Sequence, residues 1–362
     1  MTRATLSRYI AGRTLRGILL AFLIVTAIIA LVDYVEASRN IGAEGDVSPL
    51  QLLILTGLKI PKLIEQTIPF VVLFGVMGTL SSMNKRSELT VMRAAGLSAW
   101  RFLRPAVIVS ALIGLVWSTV VNPLSSRMMG EYDSRIAEIS GSFQSSEIWL
   151  REGSNDARRV IQATGVDLLS KRLDGVVFFE MRIAEDDATV FERRYDAQTA
   201  RLITPGYWTL TEVIENAPGE LTRRTDELTL PTNITVEDLR EQSGEQIDPP
   251  FWEIQEAIKA NEKAGFSARK LRLQFHKLLA LPFLLIAMTF IAACASMRLV
   301  RSGGTLQLLI MGAALGFAVF FADSVITAFG EVATLPVILS AWTVPLLVLL
   351  LGVSHLSRIE DG

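Results

Sequence analysis

The sequence predicts a six-span α-helical membrane protein whose spans are interrupted by an all-β, jellyroll-like domain. Three observations predict it. The 362 residues are 50% hydrophobic by count, with a mean hydropathy of +0.39, too apolar for an ordinary soluble chain of this length. Six segments reach the roughly 20 apolar residues that a hydrocarbon core requires, at about 15–37, 52–82, 100–122, 273–297, 304–327 and 335–356. Between the third and fourth lies a hydrophilic stretch of about 140 residues with short runs of alternating polarity.

The first apolar run begins near Gly17 and continues without an alanine-type cleavage site, so it reads as a retained membrane helix. The second and third runs are separated by Asn84–Gly96, which is too polar to cross a bilayer. Lys85, Arg86, Arg93, Arg101 and Arg104 surround one acid, Glu88. Ser87 is placed to cap a short helix, Glu88 falls in its first turn and Gly96 can stop it. Leu89, Met92 and Leu97 fall near one face. This stretch reads either as an exposed helix for a soluble partner or as a basic loop of no further purpose.

The hydrophilic stretch carries 14 basic and 27 acidic residues across 131–262. Alternation predicts strands at Ser146–Arg151, Arg159–Ala163, Val176–Arg182, Val190–Tyr195, Trp208–Val213 and Glu227–Leu230. Turn signals stand at Gly153–Asn155, Asp174–Gly175, Pro205–Gly206 and Pro218–Gly219. The spacing predicts a sandwich or jellyroll-like module with a sheet edge open to a partner's strand. A helix is expected over Pro249–Ala264, with Phe251, Ile254 and Ile258 at helical spacing. The expected domains are 1–125 with three spans and the polar helix 84–97, 130–265 with the β-domain, and 270–362 with three further spans.

Orientation follows from the Lys/Arg bias. The N-terminal tail, the loops after the second and fourth spans and the C-terminal tail hold twelve cations against three acids, Arg298, Arg301 and Arg358 among the cations. The opposite loops carry Arg39 against Glu44 and Asp46, and Glu331 alone. Both termini are expected in the cytoplasm and the β-domain outside it, in the periplasm of a host with two membranes.

Several chemistries are excluded. Cys294 is the single cysteine, so neither an internal disulfide nor a thiolate zinc site can form. His276 and His355 are far apart, and no GxxxxGK[ST] phosphate loop occurs. Charges at the spans are costly and therefore candidates for function. They are Asp33 and Glu36 on the first span, Lys59 and Lys62 on the second, Arg127 and Arg135 after the third, Arg269, Lys270, Arg272, His276 and Lys277 before the fourth and Asp323 on the fifth. The cations read either as anchors and partners for Asp33, Glu36 and Asp323, or as a surface for phosphate groups of an anionic amphiphile, with Lys62 foremost.

Specific residues then resemble the LptF/LptG family of lipopolysaccharide export permeases. Arg8-Tyr9-Ile10 opens the chain, Leu31-Val-Asp-Tyr-Val-Glu36 closes the first span, and Gln66-Thr-Ile-Pro-Phe70 with Leu73-Phe-Gly75 lies in the second. Ser87-Glu-Leu-Thr-Val-Met-Arg-Ala-Ala-Gly96 is similar to the family's coupling-helix motif, and Asn122-Pro123 closes the third span. Leu278-Leu-Ala-Leu-Pro282, Gly303-Gly304 and the ending Glu360-Asp-Gly362 look more like the LptG branch.

The resemblance implies a transport subunit without its own chemistry or cofactor. ATP and Mg would belong to a dimer of LptB-type ATPases, and an LptF-type permease would be the other membrane half. Lipopolysaccharide would leave the outer leaflet of the inner membrane and pass to the periplasmic proteins LptC and LptA, with no role for nucleic acid. Glu88, Leu89, Met92 and Arg93 would couple to the ATPase. Lys62, Lys59, Arg39, Arg127, Arg135 and Lys277 would meet the lipid head group. In this family the first and fifth spans form lateral gates, so Asp33, Glu36, Phe317 and Phe321 would line a gate or cavity. Some relatives place a cation near the position of Asp33, where this chain is acidic. Alternatives are an LptF-type paralogue, a permease for another anionic lipid, a membrane enzyme acting on a periplasmic amphiphile, or a membrane-anchored β-domain scaffold.

Overall fold

The computed structural model describes residues 3–40, 47–139, 148–153, 157–167, 170–183, 189–203, 206–219, 221–234, 239, 249–263, 267–299 and 305–361. Gly303-Gly304, Arg301, Glu44, Asp46 and the junctions at 154–155 and 205 lie outside the described residues.

The chain forms two compact units, one of residues 1–130 with 248–362 and one of residues 131–247. In the first unit α1 covers Arg3–Asn40, α2 Pro49–Lys85, α3 Glu88–Ala94 and α4 Ala99–Val116. A π-helical turn, Trp117–Val121, leads into α5, Asn122–Ile139. The later helices are α6 (Ile254–Lys263), α7 (Arg269–Leu299), α8 (Thr305–Glu331) and α9 (Val337–Asp361). Six helical stretches are long and apolar enough to cross a membrane: Thr5–Asn40, Pro49–Lys85, Ala99–Ile136, Arg269–Ser296, Ile310–Glu331 and Val337–Arg358. Every expected span is present, and most extend beyond the apolar run. A helix satisfies its own backbone in hydrocarbon, while its polar ends need no such shelter.

Local chemistry sets the helix ends. Ser48 and Gln51 form a capping box at α2, with Gln51 N donating to Ser48 Oγ at 3.3 Å and Ser48 N donating to Gln51 Oε1 at 2.9 Å. Pro49 occupies the first helical position, where no backbone donor is needed. Pro61, Pro69, Pro105, Pro282 and Pro345 lie inside helices that continue through them.

The core of this unit is built around α2 and α7. Val71, Val72, Leu73, Val76 and Met77 are fully buried on α2, with Leu285, Ala292 and Ala293 on α7. Small residues let the backbones approach. A Cβ on Gly75 would stand 2.5 Å from Ile18 Cα, and one on Gly114 would stand 2.5 Å from Pro282 Cα. By contrast α1 and α8 leave broad apolar faces uncovered by their own chain, including Leu20, Leu23, Leu31, Ile310, Phe317 and Phe321.

The second unit is all-β. Strands β1 (Ile148–Gly153), β2 (Ala157–Asp167), β3 (Arg172–Ile183), β4 (Thr189–Ile203), β5 (Tyr207–Asn216) and β6 (Arg223–Pro231) form one antiparallel sheet in chain order. Each alternating stretch lies on its own strand, Ser146–Arg151 as far as it is described. The apolar set, including Leu150, Ile161, Leu173, Phe178, Ala200, Trp208 and Leu210, is buried on one face. Phe178 and Trp208 meet edge to face at 6.2 Å.

Two expectations are corrected here. Asp174–Gly175 is not a turn but lies inside β3; Gly175 adopts φ +57° opposite Thr164, and the turn falls at Ser170–Lys171. A glycine signals positive φ, which a strand irregularity uses as readily as a turn. The helix expected over Pro249–Ala264 begins at Ile254 and belongs to the membrane unit, not to the β-domain. Phe251 stacks on Phe275 of α7 at 5.7 Å, its N–H donates to Asn122 Oδ1 at 3.0 Å, and Trp252 Nε1 donates to Thr119 O at 2.9 Å. The Thr119 carbonyl lies in the π-helical turn, where the lengthened repeat loosens the usual backbone pairing.

Candidate functional site

The polar stretch after α2 folds as two elements rather than one helix over 84–97. α2 runs on to Lys85, and α3 spans only Glu88–Ala94. Ser87 does not cap α3 through its side chain. It takes φ +59°, which reverses the chain within two residues, and Val91 N donates to its backbone oxygen at 3.0 Å instead. The stop at Gly96 is as expected. Gly96 adopts φ +79°, its N–H donates to Arg93 O at 2.9 Å, and Leu97 N donates to Met92 O at 3.1 Å. This is the Schellman arrangement, and Met92 and Leu97 supply its apolar contact with the core.

Burial divides α3 into an inner and an outer face. Leu89 and Met92 are only 4% and 9% exposed and pack into the core of the membrane unit. Residues three apart share a helix face, and the apolar pair takes the inward one. The outward face carries Thr90, Val91, Arg93 and Ala94, with Arg86 beside it. Val91 is 66% exposed. Glu88 is half-buried and already engaged: Arg13 Nη1 stands 2.8 Å from its Oε1 and 2.9 Å from its Oε2, and Tyr9 Oη donates to Oε2 at 3.1 Å. Arg13 also donates to Tyr9 Oη and, through Nη2, to Ser82 Oγ at 3.2 Å.

At the opposite ends of the spans, the charged residues form pairs between neighbouring helices. Lys59 Nζ lies 2.7 Å from Asp33 Oδ1, joining α2 to α1, and Asp33 is buried. Lys277 Nζ lies 3.1 Å from Asp323 Oδ2 and donates to Thr327 Oγ1 at 3.1 Å, joining α7 to α8. Asp33 is thus an ion-pair partner, one of the two readings that its place on the first span allows. Lys62 is half-buried on α2, while Glu36, Arg39 and Arg127 are exposed. Arg135 pairs with Glu131 within α5 at 2.8 Å and belongs to the other compact unit. Phe317 and Phe321 stack at 6.3 Å on the uncovered face of α8.

Glu65 and Arg13 fall outside the set of border charges that the sequence singles out, whereas Arg269 is within it. Glu65, a carboxylate within the second apolar run, accepts from Asn122 Nδ2 at 3.1 Å. Its signal is the one that marks Asp33, a charge inside an apolar segment. Arg269 donates from Nε to Gly330 O at 2.5 Å and also to Leu335 O, closing the connection between α8 and α9. Arg13 carries no local signal that would separate it from the neighbouring tail arginines.

Comparison with known proteins places these elements in a family. A family model described as lipopolysaccharide export system permease LptF/LptG matches residues 8–358. The chain is 31% identical over 170 residues to the lipopolysaccharide export system permease protein LptG of Haemophilus influenzae, a match covering 45% of this chain and 47% of that protein. It is 27% identical over 128 residues to LptF of Escherichia coli K12, covering 35% and 33%, and 27% identical over 159 residues to LptG of the same strain, covering 41% and 42%. Each match thus spans less than half of the relative's length.

Proposed function

The chain belongs to the LptF/LptG family of lipopolysaccharide export system permeases, and from that premise we propose that it is the LptG-type membrane subunit of an ABC transporter. It extracts lipopolysaccharide from the outer leaflet of the inner membrane. It works with an LptF-type permease and an LptB-type ATPase dimer, which binds ATP and Mg, and it hands the lipid to LptC and LptA. Both termini and α3 face the cytoplasm, and the β-domain faces the periplasm.

The observation that carries this reading is α3. A helix of two turns is bound to the bundle on one side and offers Thr90, Val91, Arg93 and Ala94 on the other. The chain has no phosphate-binding loop of its own, so the energy for transport must arrive by contact. A short helix set between α2 and α4 passes a neighbour's closure to both as a rigid-body shift. The uncovered apolar faces of α1 and α8 suit acyl chains or a second permease, and Lys62, Lys59 and Lys277 suit phosphates of the head group.

Purification in mild detergent, with bound subunits and lipid identified by mass spectrometry, tests the proposal. An ATPase subunit, a second permease and lipopolysaccharide are expected together. Recovery of the chain alone, without any ATPase subunit, overturns the reading.

A further inference from the structure

We infer that Arg13, together with Tyr9, is a positioning residue that fastens α3 to α1, so that a displacement of α3 is carried directly to the first span. The inference rests on the proposed coupling to an ATPase.

The chain connects α3 to α2 through Arg86 and Ser87, and to α4 through Ala95–Ser98. Neither connection includes α1, whose Arg13 and Tyr9 lie 75 and 79 residues upstream of Glu88. The bridge is made by side chains. Both Glu88 oxygens lie within 2.9 Å of Arg13 Nη1, and Tyr9 donates to one of them. The other guanidinium nitrogen is held by Ser82 of α2, and the guanidinium stands 5.7 Å from the Tyr9 ring centre. A planar fork fixed at three points transmits direction, which a single flexible ammonium contact would not. The pair is shielded as well, with 20% and 24% of the two side chains exposed.

The segment of α1 that carries Arg13 is itself held tightly. Ile10 is buried, and Thr79 Oγ1, which donates to Gly75 O at 2.8 Å, lies 3.5 Å from Arg13 O. A Cβ on Gly17 would stand 2.7 Å from Gly75 O, so α1 and α2 are in backbone contact one turn further on. From there α1 is an unbroken helix to Asn40. At 1.5 Å per residue, the distance from Arg13 to Asp33 is about 30 Å. Asp33 is the next ionic attachment of α1, to Lys59. Between the two attachments α1 presents Leu19, Leu20, Leu23, Ile24, Ile28 and Leu31 outward. A shift applied at Glu88 therefore reaches an open apolar face of the unit through one rigid rod.

The test uses the complete complex in proteoliposomes with lipopolysaccharide, comparing unaltered chain with Arg13→Gln, Arg13→Lys and Tyr9→Phe. ATP hydrolysed and lipopolysaccharide released are both measured. Arg13→Gln is expected to keep the ATPase bound and hydrolysing while lipid released per ATP falls at least about fivefold, the lower end of ordinary coupling between sites. Arg13→Lys should recover most of that ratio, and Tyr9→Phe should lose part of it. A second readout places spin labels at Gly12→Cys and Ala95→Cys, with Cys294→Ala to remove the native thiol. Gly12 has open space around it and Ala95 is exposed, so both accept a label. With Arg13 present, the label separation should stay constant between nucleotide-free and ATP-bound complexes; with Arg13→Gln it should change. An unaltered lipid-to-ATP ratio in Arg13→Gln, or a separation that already varies with Arg13 in place, overturns the inference alone. Failure of the unaltered complex to couple ATP hydrolysis to lipid release overturns the proposed function, and the inference with it.

Discussion

Lys59 and Asp33 meet at 2.7 Å between α2 and α1, and the aspartate is 7% exposed while the lysine is 29% exposed. Burial of the acid makes the pair asymmetric. Removing Lys59 leaves a carboxylate without its cation in an apolar surround, whereas neutralising Asp33 leaves a lysine that can reach water. Lys59→Ala is therefore expected to lower the stability of the detergent-solubilised protein by about 3 kcal/mol, and Asp33→Asn by less. The double variant Lys59→Ala/Asp33→Asn should be more stable than Lys59→Ala alone. Thermal unfolding followed by intrinsic fluorescence checks the order, and equal losses in both single variants would contradict it.

The crossing of α1 and α2 has a sharper steric test. A Cβ on Gly75 would meet Ile18 Cα, N and Cγ1 between 2.5 and 2.9 Å. Two of these are backbone atoms, which no rotamer change can move. Gly75→Ala should cost about 1–3 kcal/mol and separate α1 from α2. Gly12, on α1 with nothing within 4 Å, is the control. Gly12→Ala should be neutral or stabilise by up to about 1 kcal/mol, because alanine is the better helix former.

The exposed face of α3 should govern binding of an ATPase. Val91→Asp puts a charge where an apolar contact is proposed and should abolish co-purification of the ATPase while leaving the chain folded. Glu88→Lys should also release the ATPase, but through a different route. It sets a cation against Arg13 in place of a 2.8 Å ion pair, so α3 itself loosens. Limited proteolysis distinguishes the two: cleavage near α3 should rise in Glu88→Lys and not in Val91→Asp.

For the head group, Lys62→Glu should weaken stimulation of ATP hydrolysis by lipopolysaccharide, about tenfold in the concentration required if one charged phosphate contact is lost. Reversal of the α7–α8 pair, Lys277→Asp with Asp323→Lys, keeps an ion pair between the helices but moves its cation to α8. It should retain stability and still change the lipid concentration dependence. An unchanged response in both variants would remove these lysines from the site.

The β-domain offers a pH test. Tyr195 is buried, its hydroxyl donates to Glu180 Oε2 at 3.3 Å, and burial together with the carboxylates of Glu180 and Glu215 raises its pKa above the ordinary tyrosine value of 10.0. The folded state then favours the neutral phenol. That stability is complete below the unfolded pKa of about 10 and is lost as pH rises through the folded value. Thermal scans of the whole protein should show the β-domain transition falling above about pH 10, and Tyr195→Phe should flatten that fall.

Much of the architecture could be read directly from residue patterns. The apolar runs mark all six spans, because a helix that must satisfy its backbone in hydrocarbon needs a fixed length of apolar side chains. Alternation marks all six strands, because successive side chains take opposite faces of a sheet. Errors fall where one residue type serves two purposes. Gly175 resembles a turn glycine yet sits in β3, and Ser87 resembles a capping serine yet supplies only a left-handed backbone. Leu89 and Met92 are legible as an apolar face, but an apolar face does not say whether it meets a partner or its own bundle.

By itself, then, the order of residues determined the spans, the strands, the stop at Gly96 and the separation of basic from acidic loops. These depend on neighbours within a few turns, and local period and composition suffice to encode them. The pairing of Arg13 with Glu88, Lys59 with Asp33, Lys277 with Asp323 and Asn122 with Glu65 was decided only when the helices packed. Partners 26 to 75 residues apart meet through helix crossings such as Gly17 on Gly75. No local pattern records which face of one helix will lie against which face of another.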